Sequence, residues 1–237
     1  MSNQYFSFCP KLKNIIESGK TEDRDGNPLP VQAMSTVNNL HVLREYLLNN
    51  HAKDTLEIGL AYGGSAMTIL STLKEIYPDS EFSHSAIDPM QNTTWKGSSL
   101  RVIKEIGLNP HFIFHEGFSS LVLPKLIEHG KKYDLIYIDG SHIFEDVFVD
   151  FYFSATLLRV GGVLLLDDST DPHVKKVNRF VTRNYAKILK PFEIEVYQQP
   201  QKSLLKRLAN KFGFRQLTAY KKADETPRKW NSKYSNF

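Results

Sequence analysis

Residues 55–70 read TLEIGLAYGGSAMTIL. The run Thr55–Leu60 is short and apolar and ends at a glycine turn, the pattern of a buried strand. Beyond the turn, Ala66, Ile69, Leu70 and Leu73 recur on one helical face, and Tyr77-Pro78-Asp79 stops that helix. Strand, glycine turn and helix together open a parallel α/β sheet. The alternation continues outward, with strands predicted over Phe82–Asp88, His111–His115, Tyr133–Asp139, Val163–Asp167, Phe192–Tyr197 and Gln216–Lys221. Leu121, Leu126 and Ile127 mark one further helix. A longer helix runs from Phe144 to Arg159 and stops at Gly161-Gly162. Ahead of the first strand, Val37, Leu40, Leu43, Leu47 and Leu48 form an amphipathic helix. The polar stretch Gly19–Pro30 reads as a loop, so residues 1–33 form an arm and residues 34–237 a single doubly wound domain.

The chain has 237 residues, enough for one α/β domain and short for two. Hydrophobic residues at 41% and charged residues at 24% exclude a disordered or fibrous chain. No apolar run reaches the ~18 residues of a membrane span, and the N-terminus lacks the apolar core of a secretory signal. One cysteine, Cys9, rules out an internal disulfide framework and points to the reducing cytoplasm. The net charge of +4 is uneven, with +8 over the basic C-terminal segment 201–237 and −4 over the first two hundred residues. Within that segment, Lys202–Phe212 places Leu204, Leu205, Leu208 and Phe212 on one side of a helix and cations on the other. It reads as a helix packed on the domain, with a membrane surface or a cover for the substrate pocket as alternatives.

In an open parallel sheet, ligands bind beyond the carboxyl ends of the strands. Five carboxylates fall there: Glu57, Asp88, Asp139, Asp167 and Asp168. No Lys or Arg adjoins them in sequence. A pyrophosphate cofactor would call for donors and positive charge. A ligand carrying a sulfonium and an ammonium suits this lining better, which points to S-adenosyl-L-methionine. The turn Gly59-Leu60-Ala61-Tyr62-Gly63-Gly64 is neither a clean G-x-G-x-x-G nor a phosphate loop. Its glycines would let backbone approach the cofactor closely. Asp88, ending the second strand, is placed to accept both ribose hydroxyl protons.

Five segments resemble the class I S-adenosylmethionine-dependent methyltransferases, in particular the small catechol-O-methyltransferase-like branch. They are LEIGLAYGGSAMTIL (56–70), AIDPMQNTTWKG (86–97), HEGFSS (115–120), YDLIYIDGSHIFEDVFVDF (133–151) and LLRVGGVLLLDDS (157–169). The resemblance implies a Rossmann-like, seven-stranded, mostly parallel sheet with helices on both faces and an antiparallel last strand. It assigns Glu57, Gly59, Ala61 and Gly63 to the methionine and ribose part of the cofactor, and Ser65 to its carboxylate. Asp88 falls to the ribose, Gly117-Phe118-Ser119 to the adenine, and Met34 to the N-terminal edge of the pocket. Trp95 and Phe118 flank this region, and core packing is the plainer account of Trp95.

Asp139, Asp167 and Asp168 repel one another unless a counter-charge is present. Metal-dependent members of the branch hold Mg²⁺ at the matching positions, where it lowers the acceptor hydroxyl's pKa and orients it. The alternative is that Asp139 touches only the cofactor or a helix N-terminus, Asp167 and Asp168 cap the next turn, and no metal is bound. His142 stands where catechol-type relatives carry a lysine base, and a histidine can take a hydroxyl proton. A solvated surface histidine is the competing reading. The expected function is O-methylation of a hydroxyl on a small-molecule acceptor, a sugar or natural product, with His142 and Asp139 catalytic. The alternatives are an RNA methyltransferase guided by the basic segment and a non-catalytic cofactor-binding protein. The acidic body and the absence of an N-P-P-Y-type motif argue against nucleic acid, retained Asp139 and His142 argue against the latter, and a homo-oligomer stays open.

Overall fold

A computed structural model of the chain describes residues 6–198, 216–225 and 228–237. The amphipathic stretch Lys202–Phe212 lies outside the described residues. The chain divides into two compact units, residues 1–119 and 120–237.

The first unit begins with α1 (Pro10–Ser18), where Pro10 opens the helix and Gly19 follows its end at φ +65°. Its Leu12 and Ile15 are buried with Phe6, Cys9, Leu40, Met67 and Val102. The polar stretch after it is a hairpin, β1 (Lys20–Glu22) and β2 (Pro28–Pro30), rather than an open loop. Asp23 accepts from the backbone N–H of Asp25 and Asn27 at 2.9 Å and closes the turn. Arg101 fastens the hairpin through Glu22 at 3.1 Å. The expected arm is thus part of the first unit's core.

Helix α2 (Val37–Asn50) is capped by Thr36, whose side chain accepts from the Asn39 N–H. Strand β3 (Asp54–Ile58), helix α3 (Gly64–Ile76), strand β4 (Ser83–Asp88), helix α4 (Ser98–Glu105) and strand β5 (Phe112–Glu116) follow. β3 pairs parallel with β4, and β4 with β5.

Helix α5 (Ser119–Glu128) leads into the second unit's β6 (Tyr133–Ile138), α6 (Phe144–Leu157), β7 (Leu158–Leu166), α7 (Pro172–Asn184), β8 (Leu189–Pro191) and β9 (Thr218–Lys222). β6 and β7 are parallel, and β9 runs antiparallel to both β7 and β8. The strands of the larger sheet are ordered β5-β4-β3-β6-β7-β9-β8. This is the seven-stranded, mostly parallel arrangement expected from the sequence. Lys222, 3% exposed, donates to the Leu158 carbonyl at 2.7 Å, and burial pulls its pKa down.

One strand is misplaced by the sequence reading. Phe192–Tyr197 is not extended; residues Ile194–Tyr197 form a 3₁₀ turn, and the edge strand is Leu189–Pro191. Pro191 has no N–H to continue a ladder, and of the alternating apolar residues that follow, only Ile194 is buried while Val196 is 67% exposed.

Candidate active site

The glycine turn of the first unit is built against the sequence's default backbone. Gly59, Ala61 and Gly63 have φ of +92°, +43° and +78°, the left-handed region that costs a side-chain-bearing residue such as Ala61 about 1 kcal/mol or more. Asp88 holds this geometry. Its Oδ2 accepts from the N–H groups of Leu60 at 3.0 Å and Ala61 at 2.9 Å, and its Oδ1 accepts from Met90 N–H at 2.7 Å. Asp88 is 3% exposed, so its first role is to clamp the turn. The expected picture of a carboxylate open to two ribose hydroxyls leaves out these three bonds. Gln91, fully buried, completes the clamp by donating to the Ala61 carbonyl at 2.7 Å while accepting from Ser99.

The paired glycines serve packing as well as backbone conformation. A Cβ on Gly63 would lie 2.9 Å from Ser99 Cβ, and one on Gly64 would lie 2.5 Å from Met34 Cγ. Met34 therefore sits against the first turn of α3, and its other neighbours are the α1 core cluster. Gly64→Ala is expected to lower stability by about 1–2 kcal/mol through displacement of Met34. In a Met34→Ala background the same change should cost nothing, because alanine favours helix over glycine. Additive thermal denaturation data would refute the contact.

Ser65 is buried in that first turn, and no side chain caps the N-terminus of α3. Its N–H groups are suited to an anionic group such as an amino-acid carboxylate. Glu57 is fully buried, and neither carboxylate oxygen accepts a hydrogen bond. It is wholly shielded from solvent. Beyond β5, Glu116 and Phe118 are exposed, Phe118 at 64%, with Gly117 and Ser119 half-buried beside them. Met90 is also exposed. An open aromatic ring and a thioether suit a flat heterocycle. Trp95 instead packs edge-on against Tyr62 at 5.1 Å, as expected of a packing residue. A buried acidic side chain, an uncapped helix start and exposed apolar groups together fit S-adenosylmethionine.

The second unit carries the other carboxylates. A shallow cleft is lined by Asp139, Ser141, His142, Val147, Asp167 and Asp168, among others. His142 is half exposed. Its Nε2 lies 3.0 Å from Asp168 Oδ2 and its Nδ1 lies 4.0 Å from Asp171 Oδ2. Asp168 has φ +47°, in the left-handed region. The buried Tyr137 hydroxyl contacts Asp139 at 3.2 Å and makes a tight hydrogen bond to Asp167. Asp167 Oδ1 also accepts from Asp168 N–H at 2.7 Å, and the Gln216 amide donates to Asp168.

These partners bear on the expected Mg²⁺ site. The oxygen donors are hard and chemically suitable, and Asp139, Asp167 and Asp168 line one cleft. Among the described residues, no group of three His, Cys, Asp or Glu side chains is arranged to hold a metal ion. Tyr137, Gln216 and the Asp168 backbone N–H donate hydrogen bonds to these carboxylates, and His142 lies against Asp168. The three residues as placed do not fit a preformed divalent site, and no step below runs through a metal. Tyr137 and Gln216 were missed. Tyr137 was visible two residues before Asp139 in IYIDG, whereas Gln216 is brought in by β9 pairing and has no local signal.

Residues 56–169 match the family described as a methyltransferase domain. The chain carries a methyltransferase domain. The match spans both the clamped turn and the Asp139–Asp168 cleft residues. The methyltransferase is 29% identical over 168 residues to the uncharacterized protein R132 of Acanthamoeba polyphaga mimivirus, covering 66% of this chain and 72% of that protein. Its fold is similar to the O-methyltransferase of Bacillus cereus, solved with S-adenosylhomocysteine (TM-score 0.61, 19% identity, 80% of this chain and 88% of that one). It is also similar to the O-methyltransferase TomG of Streptomyces achromogenes, solved with S-adenosylmethionine (TM-score 0.62, 18% identity, 92% and 89%). The methyltransferase PaMTH1 of Podospora anserina shares the fold (TM-score 0.59, 15% identity, 81% and 80%).

Proposed function

We propose that the methyltransferase moves a methyl group from S-adenosylmethionine to a hydroxyl of a small molecule, a sugar or another natural product. The observation that carries this reading is the glycine turn clamped by Asp88 and preceded by the buried Glu57, with no basic side chain in it. Such a site favours a cationic ligand over a pyrophosphate. The solved O-methyltransferases with the same fold support the hydroxyl acceptor.

Bound S-adenosylmethionine supplies an electrophilic methyl on a sulfonium. The Gly59–Gly63 backbone, Ser65 and the start of α3 hold its amino-acid end. Asp88 fixes the turn and borders the ribose, and Gly117, Phe118 and Ser119 border the adenine, with Met34 at the N-terminal edge. His142 receives the acceptor's hydroxyl proton, and Asp168 orients the imidazole and stabilises the cation that forms, an orienting carboxylate behind a histidine base. Asp139, held by Tyr137, positions the acceptor. Among the described residues no helix is long and apolar enough to cross a membrane, and the buried free Cys9 accords with a cytoplasmic setting.

Incubation with S-adenosylmethionine labelled in the methyl group tests this. Label is expected in hydroxylated small molecules of an extract. Label found only in RNA would replace the proposal with the nucleic-acid reading.

A further inference from the structure

Residues 228–237 have no role in the reading so far, yet they are fastened to the second unit at several points. Asn184, the last residue of α7, exchanges two hydrogen bonds with Ser235. Its Nδ2 donates to the Ser235 carbonyl and its Oδ1 accepts from the Ser235 N–H, both at 2.9 Å. Arg183 donates to the Asn236 carbonyl. The Arg228 guanidinium lies 5.4 Å from the centre of the Tyr185 ring. These contacts deliver Phe237 to both α6 and α7. Its ring centre is 5.1 Å from that of Phe180, edge to face, and 6.3 Å from that of Phe144, nearly parallel at 19°. Trp230 of the same segment is 97% exposed, so the docking is selective and not a collapse of every aromatic.

Phe144 is the first residue of α6 and stands two residues after His142. That helix start is poorly secured by its own sequence. Ile143 at the N-cap offers no side-chain acceptor. The Ser141 hydroxyl reaches Asp146 at 2.7 Å and accepts from the Ile143 N–H at 3.2 Å, but both contacts are exposed. A first turn without a cap keeps orphan N–H groups and depends on packing for its position. Val147, buried, anchors it from within the cleft. The turn's other apolar anchor is Phe144, whose ring neighbours are Phe148 at 5.8 Å and Phe237. Phe148 in turn meets Phe180 of α7 at 4.8 Å. The row of rings couples the docked segment to the turn that carries His142.

We propose that Phe237 is a positioning residue for methyl transfer. Docked through Asn184 and Arg183, it holds Phe144 and the first turn of α6, and so keeps His142 beside Asp168 in the cleft. It acts through His142 and not by contact with the reactants. The inference rests on the reading of His142 as the base. It adds that a segment beyond the matched residues 56–169 belongs to the active-site scaffold.

The test uses the full chain, S-adenosylmethionine labelled in the methyl group and, as acceptor, the hydroxylated compound purified from an extract by its label. Phe237→Ala should lower kcat about tenfold, with S-adenosylhomocysteine affinity within about twofold of wild type. The amides of residues 143–147 should exchange with deuterium about tenfold faster. Phe237→Tyr, which keeps the ring, should restore both values. Should Phe237→Ala fail to fold, Asn184→Ala removes the two Ser235 bonds, leaves every ring in place and should lower kcat about threefold. The decisive comparison places the same change in a His142→Ala background. If Phe237 works through His142, its loss costs nothing further there, whereas a general loss of structure multiplies the two effects. Multiplied effects overturn the inference, as do wild-type kcat and exchange in Phe237→Ala, or in Asn184→Ala where it stands in; each leaves His142 as the base. An unchanged kcat in His142→Ala removes the base reading, and this inference with it.

Discussion

Replacing Asp88 with alanine is expected to lower stability and donor affinity together. Three backbone N–H groups, those of Leu60, Ala61 and Met90, lose their acceptor in a site where Asp88 itself is buried. At about 1 kcal/mol for each orphaned donor, the loss is about 3 kcal/mol. For a chain of this length that corresponds to a fall of about 10 °C in Tm. Without its clamp, Ala61 leaves the left-handed conformation and the turn must be re-ordered by the ligand, which should weaken donor binding by about a hundredfold. Asp88→Asn keeps one acceptor oxygen and should fall between. A variant with weakened binding and an unchanged Tm would show that Asp88 serves the ribose alone and that the turn stands unaided.

The second large effect is expected at His142. Its Nε2 is oriented by Asp168 at 3.0 Å while the ring remains half exposed in the cleft, the arrangement of a base that meets an incoming hydroxyl. His142→Ala should reduce kcat by about 10²–10³, with S-adenosylhomocysteine affinity within about twofold of wild type. Asp168→Asn should reduce kcat less, because the imidazole is then misoriented but still present. Steady-state kinetics on an acceptor recovered from the labelling experiment separates the cases. Unchanged kcat in His142→Ala would move the base elsewhere, and a lost cofactor affinity would make His142 structural.

Much of this was legible in the chain. The run Thr55–Leu70 specified strand, turn and helix because a buried apolar stretch, left-handed glycines and a 3.6-residue period agree there. The helices α1 and α7 were readable and overlooked. Pro10 with Gly19, and Asp171 with Pro172, are start and stop signals. Their apolar faces are short, and the polar residues around them favoured a loop or left the segment unread. The strand at Phe192–Tyr197 followed from alternation alone, and alternation cannot show which apolar residues find a core. At the site, the carboxylates were found because their type and position carry the chemistry. Their partners were not, because Gln91, Tyr137 and Gln216 are ordinary residues whose roles arise only from strand register.

The central claim is that the turn clamped by Asp88 is a site for a sulfonium donor. Equilibrium calorimetry of the full chain with S-adenosylmethionine, and separately with NAD, tests it most directly. One equivalent of S-adenosylmethionine should bind with a Kd of about 1–100 μM, while NAD should give no heat of binding. Saturable binding of NAD, or none of S-adenosylmethionine, would contradict it.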